Sequence, residues 1–101
     1  MADNEFPSLS SKEFLIMEML RDHGETYGLK MVEESGGELK KGTVYVTLGR
    51  MEDKGLITSK EEVRSDPESG AAKRVYCSTD YGKRVFKAQE IALKYLNMGS
   101  W

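Results

Sequence analysis

Residues 40–57 read KKGTVYVTLGRMEDKGLI, and the remainder of the chain is understood from them outward. The spacing predicts one helix over residues 43–54. Gly55 follows where a helix commonly stops, because glycine enters the left-handed region without steric cost. Wound at about 100° per residue, this helix gathers Val44, Leu48 and Met51 on one face, with Tyr45 at its edge. Thr43, Val46, Arg50 and Asp53 fall on the opposite face. The first face can be buried. The second offers hydroxyl, methyl and guanidinium groups with a single acid. Lys40 and Lys41 precede the helix, where free backbone N–H groups already favour anions. A helix that hides one face and presents such groups on the other suits the major groove of DNA.

Upstream, residues 1–8 are expected to form an arm, with Pro7 opposing an early helix. Ser10 and Glu13 have capping-box spacing, and Leu9 and Phe14 have the spacing of a hydrophobic staple. A first helix then carries Leu15, Ile16, Met19 and Leu20 to about Asp22, and His23-Gly24 ends it. Thr26 is expected to cap a second helix over residues 27–35, with Leu29, Met31 and Val32 as its apolar positions and Gly36-Gly37 as its stop. Gly28 costs helix stability on propensity, so its presence predicts a close packing approach. Two helices, a short turn and a third helix form a helix-turn-helix.

Downstream the period changes. Residues 58–64 and 73–79 read as strands, separated by SDPESGAA, a run of turn formers. This predicts a hairpin wing. Thr79 or Asp80 caps a last helix over residues 81–98, and residues 99–101 form a tail. Its apolar positions, Val85, Phe86, Ala88, Ile91, Ala92, Tyr95 and Leu96, make a stripe too wide for a lone surface helix.

The central stretch resembles the recognition-helix region of PadR-like winged-helix transcription regulators through Gly42, Tyr45, Leu48, Gly55, Leu56 and Ile57. Val46 stands where that family usually has proline, and Met51 where it has leucine. Lys73, Arg74, Tyr76, Thr79 and Gly82 match the pattern that ends the family's wing, with Ser78 in place of a leucine. The resemblance covers residues 9–82. It implies a mainly α, α+β fold: a winged helix-turn-helix of three helices and a two-stranded β wing over residues 9–79, then a C-terminal dimerisation helix over 80–98. It further implies a homodimer joined through the seven apolar positions of that helix, Tyr45 at the DNA, and repression of transcription. Some relatives answer to small aromatic or drug-like effectors at the dimer interface; Tyr95, Met98 and Trp101 could line such a cleft here, and a dimer seam would need the same residues.

With 101 residues and 39% apolar content, one domain with one small core is expected. A core this small gains from pairing with a second copy. No apolar run approaches the roughly 18 residues of a membrane span. The opening MADNEFPSLS lacks the form of a signal peptide, and the lone Cys77 forms no internal disulfide. A cytoplasmic protein is therefore expected. The net charge of −2 is unevenly spread. Residues 1–38 hold three Lys/Arg against nine Asp/Glu, and residues 39–101 hold twelve against eight. That asymmetry fits a basic face on an acidic body.

Nothing in the sequence points to catalysis, a cofactor or a metal. His23 is the sole histidine and reads as a solvated helix end; Cys77 reads as a small core residue; the scattered methionines read as core filling. The expected activity is binding of a near-palindromic double-stranded site by two recognition helices, about 34 Å apart in successive major grooves. Lys40 and Lys41 would meet phosphates, Thr43, Val46, Thr47 and Arg50 base edges, and Tyr45 a phosphate. Lys73 and Arg74 would follow the backbone or minor groove beside the wing. Two alternatives stay open: an adaptor that spreads along DNA, as in plasmid segregation, and a winged helix used for protein interaction.

Overall fold

A computed structural model describes residues 8–62 and 73–98. The first helix, α1 (Ser11–His23), begins where the capping box predicts. The Ser10 hydroxyl accepts from the Glu13 N–H at 3.2 Å, and the Glu13 carboxylate accepts from the Ser10 N–H at 2.9 Å. Its buried residues include Ile16, Met17, Met19 and Leu20. The recognition segment is α3 (Val44–Asp53), with Thr43 as its N-cap and Lys54 as its C-cap. Gly55 follows at φ 79°, in the left-handed region that favours glycine.

The second helix differs from expectation at its start. It is α2 (Gly28–Glu34), and Thr26 does not cap it. Thr26 is instead buried in the middle of a short strand, β1 (Glu25–Tyr27). The wing strands are β2 (Ile57–Glu62) and β3 (Lys73–Ser78). All strands pair antiparallel in the order β1-β3-β2, with Thr26 opposite Tyr76 and Ser59 opposite Tyr76 from the other side. The sheet thus has three strands where a two-stranded wing was expected. Three residues are too few to show a period, and β1 is stabilised by the edge that β3 presents to it, a long-range pairing no local pattern reports. The turn run at 65–72 lies outside the described residues.

One core joins these elements. Ile16 and Met17 from α1, Met31 from α2, Val44, Leu48 and Met51 from α3, and Ile57 from β2 are almost wholly buried. Each such side chain contributes about 1.5–3 kcal/mol by leaving water. The final helix, α4 (Asp80–Met98), adds Val85 and Phe86, and Phe86 packs on Phe14 with ring centroids 4.8 Å apart. The Gln89 amide grips the backbone of Leu9 in both directions, accepting from its N–H at 2.6 Å and donating to its carbonyl at 3.1 Å.

Two sequence motifs that looked separate close on each other. The Thr79 hydroxyl donates to the Gly55 carbonyl at 2.6 Å, with the Leu56 carbonyl at 3.1 Å, and accepts from the Gly82 N–H at 2.9 Å. The Thr79 N–H donates to the Leu56 carbonyl at 3.0 Å. Gly82 lies so close to Leu56 that a Cβ would overlap that carbonyl oxygen. The end of α3 and the start of α4 are therefore bolted together through a threonine and a glycine.

Candidate nucleic-acid interface

The buried stripe of Val44, Leu48 and Met51 determines what α3 shows to solvent. Thr43 and Arg50 are exposed, Val46 is 55% and Tyr45 47% exposed, and Thr47 is half-buried. A valine left open in the first turn of the helix, beside a tyrosine, makes an apolar patch on an otherwise polar face. Lys40 and Lys41 are exposed on the link before the helix. The Lys40 carbonyl accepts from the N–H groups of Thr43 and Val44 at 3.1 and 2.9 Å, so the link is already wound toward the helix. Among the described residues, no ion pair engages Lys40, Lys41 or Arg50.

Tyr45 owes its position to Gly28. A Cβ on Gly28 would stand 2.7–2.8 Å from the outer ring atoms and hydroxyl of Tyr45. The close approach expected at Gly28 is thus an aromatic ring laid across the start of α2. Leu29, 42% exposed, lies on the next residue of that helix.

On β3, Arg74 is exposed, and its guanidinium donates from Nη1 to the Ser59 hydroxyl at 3.1 Å. Ser59 in turn donates to Glu52 on α3 at 2.7 Å. Arg74 is therefore held beside the recognition helix. For Lys73 only the backbone position is described, opposite Glu62 at the open end of the strand pair. Ser59 and Glu52 gave no signal in the sequence: one is a serine in a strand, the other an acid on a helix end. Opposite Ser59 on β3, Tyr76 is buried, and burial pushes its phenol above the ordinary value, with Arg74 opposing and Glu52 and Tyr45 adding to the rise.

The lower end of α3 is fixed by a second acid. Glu13 is buried, and its carboxylate takes the Ser10 N–H and the Lys54 ammonium, the latter at 2.9 Å. Burial alone would raise its pKa. The Ser10 N–H and the Lys54 charge more than offset this, and the carboxyl titrates below its ordinary 4.5.

The apolar stripe of α4, expected to form the dimer seam, divides in two. Val85 and Phe86 are buried in the chain's own core, and Ala88 is half-buried. They are filled from within, because α4 packs its first turns against α1 and β3. Past Glu90 the helix leaves the body: Ile91 is 44%, Tyr95 71% and Leu96 68% exposed, and Ala92 is exposed as well. Trp101 lies outside the described residues. His23 hydrogen-bonds Glu34 at 2.9 Å, joining the ends of α1 and α2. Cys77 is half-buried on β3. No cluster of metal-ligating side chains occurs among the described residues, and no helix among them is long and apolar enough to cross a membrane.

Comparison with known protein families matches residues 16–88 to the model of the transcriptional regulator PadR-like family. The chain belongs to the PadR-like family. Solved PadR-family structures share its fold. A PadR family transcription regulator from hypervirulent Clostridium difficile R20291 is 30% identical, with a TM-score of 0.71 over 84% of this chain and 88% of that one. One from Eggerthella lenta DSM 2243 is 26% identical, with a TM-score of 0.71 over 85% and 74%. The PcaV regulator of Streptomyces coelicolor, solved in complex with its natural ligand, shares the fold at 22% identity over 89% and 59%. No curated protein matches the chain significantly. Membership makes this PadR-like chain a winged-helix, DNA-binding transcription regulator.

Proposed function

We propose that the protein is a cytoplasmic, homodimeric repressor that binds a near-palindromic duplex site and has no catalytic activity. The observation carrying this reading is the sealed and open pair of faces on α3. Val44, Leu48 and Met51 are buried, while Thr43, Val46 and Arg50 are free. Arg50 can bridge the O6 and N7 of a guanine, and the methyls of Val46 and Thr47 can meet a thymine methyl. Lys40, Lys41, Arg74 and Lys73 would neutralise phosphates, and Tyr45 can donate its phenol to one. The domain at residues 9–79 would read DNA, and residues 80–98 would pair the protomers through Ile91, Ala92, Tyr95 and Leu96.

Selection of bound genomic fragments, followed by footprinting, tests the reading. A bounded footprint near a promoter is expected. A footprint that lengthens with protein concentration would instead establish the spreading adaptor, and no retardation of any duplex at low salt would establish a protein-interaction module. On the selected site, Arg50→Ala should cost about 1–3 kcal/mol and relax sequence preference, and Lys41→Ala should weaken all sequences alike.

An effector is part of the same proposal. The ligand held by the PcaV relative is an analogy for one here, at the seam near Tyr95 or in the groove of about 440 Å³ where Met17, Leu20 and Phe86 lie under the rim cations Arg21 and Lys87.

A further inference from the structure

Arg74 and Glu52 are exposed, opposite in charge and on neighbouring elements, so a direct ion pair would be the default. The structure has none: among the described residues no carboxylate comes within ion-pair distance of Arg74. Ser59 stands between the two. Its hydroxyl donates its one proton to Glu52 Oε2 at 2.7 Å and accepts from Arg74 Nη1 at 3.1 Å. A hydroxyl has one proton and two lone pairs, so it can join a carboxylate to a guanidinium only in this sense. The register places Ser59 opposite Tyr76, two residues along the strand from Arg74, and that fixes the serine at the right height.

We infer that Ser59 is a positioning residue for DNA binding. It fastens the wing to the last turn of α3 and holds the Arg74 guanidinium in a fixed direction without letting Glu52 neutralise it. A guanidinium has five N–H donors; with one given to Ser59, the others are kept for a phosphate beside the recognition helix. The inference rests on the DNA-binding reading above, and it adds a residue that would touch no nucleotide. Without the hydroxyl, the guanidinium closes onto Glu52 and its charge is lost to the duplex.

The test is a salt series of anisotropy titrations with a labelled duplex carrying the selected fragment. It compares the parent with Ser59→Ala, Ser59→Thr, Arg74→Ala and the pair Ser59→Ala/Glu52→Gln. Each phosphate contact contributes about 0.9 to the slope of log K against log salt, hence about 1.8 for the two Arg74 of a dimer. Ser59→Ala should flatten the slope as far as Arg74→Ala does. Ser59→Thr should keep the parent slope. Adding Glu52→Gln to Ser59→Ala should restore most of it, because the competing carboxylate is gone. A simple loss of packing would not be reversed that way. A parent slope in Ser59→Ala, or no recovery on adding Glu52→Gln, overturns the inference while leaving DNA binding intact. A parent that binds no duplex at any salt overturns both.

Discussion

Gly82→Ala should destabilise the protein although it improves helix propensity. Gly82 lies in the first turn of α4, where alanine in place of glycine would ordinarily gain up to about 1 kcal/mol. Here the new Cβ would overlap the Leu56 carbonyl oxygen and lie 2.8 Å from its carbon. The obstacle is backbone, which cannot swing aside as a side-chain tip does. Relieving it means parting α4 from the end of α3, and that stretches the Thr79 N–H bond to Leu56 and the Thr79 hydroxyl bonds to Gly55 and Leu56. Two or three bonds at about 0.5–1.5 kcal/mol each, less the propensity gain, leave a net loss of about 1–3 kcal/mol. In a domain of this length each kcal/mol moves the melting temperature by about 4–8 °C. A thermal melt should therefore fall by about 5–20 °C. Gly49→Ala is the control: its Cβ meets open space, and it should raise the melting temperature. If the two variants shift together, the close approach of α4 to Leu56 is not what requires glycine.

Glu13→Gln addresses the buried acid. Because the folded carboxyl titrates below its ordinary 4.5, its contribution is fully present above that value and is lost as pH falls through the lower folded one. Urea melts from neutral to acid pH should show the parent losing stability more steeply than Glu13→Gln below pH 4.5; parallel curves would mean the carboxylate is not held by Ser10 and Lys54. Leu96→Glu, at a position 68% exposed, should change monomer stability by no more than about 0.5 kcal/mol yet shift sedimentation to a monomer. A persisting dimer would move the seam elsewhere. Gly28→Ala meets the flexible end of Tyr45 rather than backbone, so melts should change little while DNA affinity drops with the displaced phenol; affinity equal to the parent's in both Gly28→Ala and Tyr45→Phe would remove Tyr45 from the interface.

Much of this was legible in the chain because it is local. The Ser10 and Glu13 box, the Val44, Leu48 and Met51 stripe and the Gly55 stop each lie within one or two helical turns, and each forms where its spacing predicts. Thr26 misled for the opposite reason. A threonine before an apolar run is a good cap, and only the arrival of β3, some fifty residues later, makes it a strand residue. The spacing of the α4 stripe presents it as a single surface, but one face of a helix can serve two neighbours in turn. Its first part is filled by Phe14 and the α1 core, and its last part is left open. Ser59 could not be seen at all, since a polar residue on a strand announces nothing until its partners are known.

These contacts share a destination. Glu13 reaches the C-terminal end of α3 from α1 through Lys54, Thr79 and Gly82 reach it from the start of α4, and Ser59 reaches it from the wing through Glu52. At the other end of α3 the Lys40 carbonyl accepts from Thr43 and Val44, the N-cap threonine side chain makes no cap bond, and Val44 and Tyr45 hold the helix by packing on the core and on Gly28. The helix is thus tied by side-chain hydrogen bonds from three other elements at its C-terminal end and by packing at the end where Lys40, Lys41 and Thr43 would meet DNA. Gln89 adds a hold on Leu9, directly before the Ser10 box, so α4 grips both α1 and the root of α3. In the proposed dimer the distance between recognition helices would then be set by the pairing of the α4 helices, with little give between seam and reading head.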